Sequence, residues 1–163
     1  MKFEIITPFD ISPKEFWAIS QSKELSLLLD EAAEVSRVVE EEHLTGNGKY
    51  RKYRVTQTKD LPLAAQKMLR TKRITYTQIQ TYNNDTLRIE WVVVPDSLAG
   101  MVTIAGYLQI REGGTGCERV VNGEINVAVA LIGRKIEKHV VESLKRSYVR
   151  AAEVTDKWLL ENR

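Results

Sequence analysis

The sequence predicts an α+β fold in which a long C-terminal helix lies across a curved antiparallel sheet of about seven strands and closes a largely apolar cavity. Three observations support this fold class. The last thirty residues carry an apolar stripe at helical spacing. The central segment alternates apolar and polar residues in runs separated by turn-forming residues. Near the N-terminus, two serines stand where helix caps are expected.

Length and composition fit a single domain over residues 1–163. The hydrophobic content of 43% and the charged content of 28% are those of a globular protein. A net charge of +2 gives no reason to expect nucleic acid as a partner. The single cysteine, Cys117, makes no internal disulfide, and no run approaches the roughly 20 apolar residues that span a bilayer. We expect a cytoplasmic protein, a monomer or homodimer, without stable membrane insertion.

The first elements are a short strand and two short helices. Lys2 to Ile6 alternates and is typical of a strand. Ser12, Pro13 and Glu15 have the spacing of a capping box with proline at the first helical position, which predicts a helix from Pro13 to about Ser20. Ser22 is expected to cap a second helix. That helix would direct these leucines inward: Leu25, Leu28 and Leu29.

Six strands follow in the prediction. Val35–Leu44 and Lys49–Thr58 flank a Gly-Asn-Gly turn and form a hairpin. One or two helical turns are expected around residues 61–69. The remaining strands are Arg73–Tyr82, Thr86–Val94, Met101–Arg111 and Cys117–Val129. Strands of this length must twist and coil, so the sheet should have a concave face. Gly106 and Gly123 are interpreted as bends or bulges.

The final element is a helix from about Gly133 to Glu161, some 45 Å long at ~1.5 Å per residue. Its apolar stripe consists of Ile132, Ile136, Val140, Leu144, Tyr148, Ala152 and Leu159. A stripe of this length needs a matching apolar surface, and the concave face of the sheet provides one.

This order of elements resembles the START-like helix-grip fold of lipid-transport domains, the birch-pollen-allergen family and the polyketide cyclase/dehydrase group. The segment Gly123–Glu137 also resembles the last-strand-to-helix junction of an uncharacterised START-like family. Ala130 stands where that family tends to carry proline, and the Leu61-Pro62 turn is similar in both. The resemblance implies a hydrophobic ligand cavity and carries no catalytic residues across, because the superfamily has no common catalytic set.

A cavity is predicted because a long helix on a strongly curved sheet does not touch it along its whole length. Its lining would comprise strand residues and helix residues: Tyr53, Tyr76, Trp91, Ile104, Leu108, Arg119, Val121 and Ile125, with Val140, Leu144 and Tyr148. Apart from the arginine, these residue types are equally compatible with a solid core.

Two arginines, Arg119 and Arg37, lie in register with inward apolar residues. A buried arginine needs a counter-charge or several acceptors, so either one is a candidate for orienting the polar head of an apolar ligand. The alternatives are that the side chain reaches water at a strand end, or pairs with a glutamate of residues 40–42.

No catalytic motif and no metal site is predicted. His43 and His139 are far apart and lack partners at ligand spacing. Residues 113–116 are interpreted as a hairpin turn, because the lysine of a phosphate-binding loop is missing and a strand follows. No cofactor is expected. Basic residues around 67–73 are interpreted as a solvated face, or as a contact to anionic lipid headgroups.

The sequence therefore predicts binding or transport of a small hydrophobic ligand, lipid-like or aromatic. Two alternatives remain: an enzyme of the polyketide cyclase type that uses the same cavity, and a START-like protein-interaction module with a filled core.

Overall fold

The computed structural model describes residues 1–162 and contains seven strands and four helices in that range. They are β1 (Lys2–Phe9), α1 (Pro13–Ser20), α2 (Lys23–Ala32), β2 (Val35–Thr45), β3 (Gly48–Gln57), α3 (Leu63–Leu69), β4 (Thr75–Asn83), β5 (Arg88–Pro95), β6 (Val102–Gly113), β7 (Gly116–Val127) and α4 (Gly133–Asn162). The predicted order is confirmed, and the turns expected around residues 61–69 form α3.

All seven strands form one antiparallel sheet in the order β1-β7-β6-β5-β4-β3-β2. Strands β2 to β7 pair in chain order, with α3 between β3 and β4, whereas β1 is placed beside β7. The sheet thus has two edges, β1 and β2. With the long helix α4 packed on it, the fold is the predicted helix-grip architecture.

The two N-terminal helices begin at the predicted serines. The Ser12 hydroxyl accepts from the backbone N–H of Glu15 at 3.3 Å, and the Ser12 N–H donates to the Glu15 carboxylate at 3.2 Å. Ser22 caps α2 in the same way, accepting from Leu25 N–H at 3.1 Å. Leu25 is buried as predicted. Leu28 is 39% exposed, because it faces a cleft between α2 and α4 instead of the sheet.

Helix α4 packs closest to β1, β7 and α2. Its N-terminal part is held to the sheet by Glu137, whose carboxylate accepts from the backbone N–H of Val127 at 2.9 Å. Val141 and Leu159 are buried against the rest of the protein. Ile132, predicted to begin the apolar stripe, precedes the helix and is 38% exposed. The stripe proper therefore starts at Ile136.

Gly106 and Gly123 do not mark a bulge between β6 and β7. They are paired directly opposite each other in β6 and β7, with no register shift. A Cβ on either glycine would lie 2.8 Å from the ring of Trp91. The two glycines therefore make room for the indole. In the described sheet the one register shift lies between β2 and β3, at Val39/Glu41.

Two clusters of apolar side chains stabilise the fold. The first lies beneath α1 and packs that helix and the end of β1 against the sheet and the end of α4. It consists of Phe9, Ile11, Phe16, Trp17, Tyr82, Ile110, Cys117 and Leu159. The second lies between the opposite half of the sheet and the first half of α4: Phe3, Trp91, Val121, Ile125, Val127 and Val141. The predicted ligand-binding residues belong largely to the second cluster.

Candidate functional site

Strand register brings most of the predicted lining residues together on the concave face. Val121 pairs with Leu108 and Ile125 pairs with Ile104, so four predicted residues form a block on β6 and β7. Trp91 on β5 extends this block, since it pairs with Gly106. Within one strand, residues two apart face the same side of the sheet. Arg119, two positions before Val121, therefore faces the same interior.

Helix α4 supplies the opposite wall. Val140, Leu144 and Tyr148 pack against the cluster that contains Trp91, Val121 and Ile125. The structure thus juxtaposes the predicted helix residues with the predicted strand residues. Val121 and Ile125 are fully buried, whereas Ile104, Leu108, Val140, Leu144 and Tyr148 are only half-buried.

Tyr53 and Tyr76 lie across the sheet from this block, on β3 and β4. Their register partners, Gln78 and Val55 respectively, face the same interior. Tyr53 accepts from a guanidinium N–H of Arg51 at 3.1 Å. This part of the concave face is therefore more polar than the part formed by β6 and β7.

Sequence reasoning missed three polar residues of this wall: Gln78, Gln80 and Tyr82. The Tyr82 hydroxyl donates to the side-chain amide oxygen of Gln80, Oε1, at 2.7 Å. Burial raises the pKa of Tyr82 above its ordinary value. The signal was present in the sequence, because positions 76, 78, 80 and 82 follow the period of two that places them on one face. These positions were not recognised as inward-facing because an inward face is usually identified by apolar side chains, and glutamines occupy two of them.

Arg37 faces the interior but already has a counter-charge. Its Nε donates to Asp30 Oδ1 at 2.7 Å, and a second N–H of the same guanidinium donates to that oxygen. Its Cζ lies 5.3 Å from the centre of the Tyr53 ring. Burial by itself would lower the pKa of Arg37, but the hydrogen bond to Asp30 and the charge interactions with Asp30 and two tyrosines together raise it. The alternative pairing with residues 40–42 is wrong for Arg37, since Asp30 on α2 takes that place.

Arg119 is the second inward arginine, and its surroundings differ. It is 5% exposed, so the alternative in which it reaches water at a strand end is wrong. Its Nη2 donates over long distances, 3.4 Å to Thr7 Oγ1 and 3.3 Å to the backbone oxygen of Tyr148. Its Nε has no hydrogen-bond partner. Within residues 1–162 no carboxylate lies at ion-pair distance from it.

Aromatic rings enclose the Arg119 guanidinium. Its Cζ lies 5.0 Å from the centre of the Tyr148 ring and 5.3 Å from that of Phe9. Burial lowers the pKa of Arg119 from its ordinary value, with partial compensation from Tyr148 and Asp156. Burial also raises the pKa of Tyr148, while the positive charges of Arg119 and Arg37 act in the opposite direction. The charges of both arginines thus act on Tyr148.

None of the predicted lining residues contributes to either of two clefts on the surface of residues 1–162. The larger, about 920 Å³, lies where the end of β1, the β6–β7 turn and the C-terminal part of α4 meet; it is lined by Pro8, Phe9, Asp10, Ile11, Gly113, Gly114, Thr115, Asp156, Leu159 and Leu160. The smaller, about 370 Å³, lies between α2 and α4. Residues 113–116 form the predicted hairpin turn between β6 and β7.

Two carboxylates on α2 and β2 are held by arginines. Asp30 is bonded to Arg37, and Glu42 is bonded to Arg51. Among the described residues, no group of three or more His, Cys, Asp or Glu side chains is arranged to hold a metal ion. His43 is exposed on β2 and stacks on Tyr50, and His139 is exposed on α4.

Solved structures with the same fold come from several kinds of protein. Ara h 8.0201 has a TM-score of 0.66 and 11% identity, with 99% of each chain covered. A START superfamily protein from Mycobacterium smegmatis has a TM-score of 0.57 and 12% identity, covering 97% of this chain and 98% of that one. The Zhui aromatase/cyclase from Streptomyces sp. R1128 has a TM-score of 0.55 and 13% identity, covering 94% and 90%. At these identities the likeness establishes the START-like fold and nothing finer.

A family model described as "Protein of unknown function (DUF2505)" matches residues 4–159. No curated protein matches the sequence. None of the helices in residues 1–162 combines the length and apolar character needed to cross a membrane.

Proposed function

The chain belongs to the family of unknown function DUF2505 and has the START-like helix-grip fold, and from this premise we propose that it binds a small, mostly apolar molecule between the sheet and α4. One observation carries the proposal. Leu108 on β6 and Leu144 on α4 pack against the same buried cluster, yet both remain half-buried. Apolar side chains in a filled core would be almost completely buried.

Tyr148 supports the same conclusion. Burial by surrounding protein raises its pKa, so the side chain lies deep in the molecule. It nevertheless keeps part of its solvent contact. Both properties hold for Tyr76 on the opposite wall. Deep position combined with residual accessibility is expected of a side chain that borders an internal space.

The two walls differ in polarity, which suggests an amphipathic guest. The β6–β7 wall is apolar around Ile104, Leu108 and Ile125, whereas the β3–β4 wall carries Tyr53 and Gln80. Ligand sites commonly combine an apolar lining with a few polar groups that fix orientation. We propose binding and not catalysis, since the carboxylate of Asp30, which lies beside the inward-facing Arg37, is already held by that arginine.

The proposal is tested with 2-naphthaleneethanol, a neutral aromatic probe, in a thermal-unfolding titration. Binding to the folded state raises the unfolding temperature in a saturable manner. Leu144→Trp places a large side chain in the proposed space and should abolish the rise in a protein that remains folded. Val149→Trp is the matched control, because Val149 lies on the exposed side of α4; it should respond like the parent protein.

Two outcomes would overturn the proposal. One is a parent protein whose unfolding temperature does not respond to the probe at its solubility limit. The other is an undiminished response in Leu144→Trp, which would place the bound probe elsewhere, for example in the cleft between α2 and α4.

A further inference from the structure

The two inward-facing arginines, Arg37 and Arg119, differ in whether a carboxylate is paired with them. Arg37 is compensated by Asp30, with an Nε–Oδ1 distance of 2.7 Å. Arg119 faces the interior from β7 and has no carboxylate at ion-pair distance among residues 1–162. The fold therefore supplies a counter-charge for the partly exposed Arg37 and leaves the buried Arg119 without one.

The hydrogen-bonding capacity of Arg119 is mostly unused. A guanidinium has five N–H donors and cannot lose its proton in a protein. Here Nη2 makes two contacts of 3.3 and 3.4 Å, longer than ordinary N–H···O bonds, and Nε makes none. Removing an unpaired charge from water is strongly unfavourable. Phe9 and Tyr148 offer ring faces, which compensate only in part.

One carboxylate, that of Asp156, interacts with the charge of Arg119 without forming an ion pair with it. Asp156 on α4 contributes a favourable charge interaction, but Asp156 is exposed and makes no ion pair with Arg119. Water screens an interaction of this kind. The unused donors of Arg119 are therefore available to a further partner.

Apolar side chains continue from Arg119 along the same face of β7. Val121 and Ile125 are fully buried, and Leu108 lies beside Val121 on β6. At about 3.3 Å per residue, the row from Arg119 to Ile125 is on the order of 20 Å long. One end of the proposed binding space is thus cationic and the remainder of this wall is apolar.

We propose that the guest is an amphipathic carboxylic acid whose carboxylate is bound by Arg119. This inference rests on the proposed function, since it requires a guest in the interior. The planar fork of a guanidinium matches the two oxygens of a carboxylate. The apolar body of the acid lies along Val121, Leu108 and Ile125.

Isothermal titration calorimetry with two probes of one shape tests the proposal. The probes are 2-naphthylacetate and 2-naphthaleneethanol, which differ in the charge of the head group. The parent protein should bind the carboxylate at least about tenfold more tightly than the alcohol, the size expected of a hydrogen bond to a charged group. This comparison needs no variant and therefore does not depend on whether a substitution is tolerated.

A variant then assigns the preference to one residue. In Arg119→Met the two affinities should agree within about twofold, because the apolar body still binds and the guanidinium is gone. Arg111→Met is the matched control, since Arg111 is an exposed arginine paired with Glu118 on the β6–β7 hairpin. It makes the same change in net charge and should keep the preference.

Different results contradict the two proposals. Equal binding of both probes by the parent protein, or a preference that survives in Arg119→Met, would refute carboxylate binding by Arg119 but not the proposed binding between the sheet and α4. Absence of binding for both probes would refute the proposed function itself.

Discussion

Gly106 and Gly123 lie directly opposite each other in β6 and β7, and the ring of Trp91 occupies the space that two side chains would otherwise fill. A Cβ on Gly123 would approach Trp91 Cη2 to 2.8 Å and Phe3 Cζ to 2.7 Å. A Cβ on Gly106 would lie 2.0 Å from the backbone oxygen of Asn122. The pair therefore fixes the position of Trp91 in the interior.

Replacement of Gly123 by alanine should destabilise the protein. The added methyl group must displace two aromatic rings in a packed cluster, and overpacking of this kind costs about 1–3 kcal/mol. Urea-induced unfolding measures the change in the free energy of unfolding. Gly46→Ala is the matched control, because a Cβ there meets nothing within 4 Å. Equal stability of the two variants would show that Trp91 does not depend on Gly123.

Replacement of Arg119 by methionine should stabilise the ligand-free protein. The substitution removes a buried charge that lacks a counter-ion and keeps most of the apolar volume, and comparable replacements of buried charges are neutral or stabilising by about 1–4 kcal/mol. Loss of the contacts to Phe9 and Tyr148 reduces the gain. Unfolding by urea provides the measurement, with Arg111→Met, an exposed site, expected to change stability by less than about 0.5 kcal/mol. A clear loss of stability in Arg119→Met would mean that the guanidinium is satisfied in the free protein.

Replacement of Asp30 by asparagine should have the opposite effect. It leaves the inward Arg37 without its counter-charge, and loss of a hydrogen bond to a charged group costs about 1.5–3 kcal/mol. Asp60→Asn serves as the comparison, since Asp60 pairs with Arg73 in an exposed position and such pairs contribute little. If the two substitutions proved equal in urea unfolding, the Asp30–Arg37 pair would be no more than a surface contact.

The bond between Asp96 and Arg54 predicts a specific dependence of stability on pH. Arg54 and Thr75 lower the pKa of Asp96 from 3.8 to about 2. A carboxyl whose pKa is lower in the folded state stabilises it above the ordinary pKa and loses that contribution as the pH falls through the folded-state value. Asp96 is 44% exposed, so the contribution is small, about 0.2–1 kcal/mol.

The stability difference between the parent protein and Asp96→Asn should therefore shrink as the pH is lowered from about 6 to about 2.5. Urea unfolding at each pH gives this difference. Asp85→Asn, in the β4–β5 turn, controls for the substitution itself. A difference that stays constant over this range would show that Asp96 is not bonded to Arg54 in solution.

Local signals in the sequence were sufficient for the fold. The Ser12 and Ser22 caps, the turn at residues 46–48 and the apolar stripe from Ile136 each depend on residues that are close in the chain. These local signals predicted where the helices and strands begin and end. The order of the predicted elements then indicated the helix-grip architecture. Leu28 was misplaced, because the period of α2 alone does not show whether a side chain meets the sheet or another helix.

Features that depend on register between distant strands were not predictable in this way. The spacing that places Trp91 over Gly106 and Gly123 joins three strands. The pairing of Arg37 with Asp30 depends on how the end of α2 lies beside β2. Sequence periodicity identified Arg119 as inward, but only the packing of β1 and α4 around it showed that no carboxylate accompanies it.

A ¹H–¹⁵N NMR titration with 2-naphthylacetate tests the central claim most directly, because the three tryptophan indole groups report on three places. Trp91 Nε1 is buried in the interior without a partner, Trp17 Nε1 donates to Asn84, and Trp158 lines the cleft between α2 and α4. Binding between the sheet and α4 should shift the Trp91 indole signal saturably and leave that of Trp158 in place. A saturable shift of Trp158 with Trp91 unchanged, or no shift of any indole signal, would contradict the account.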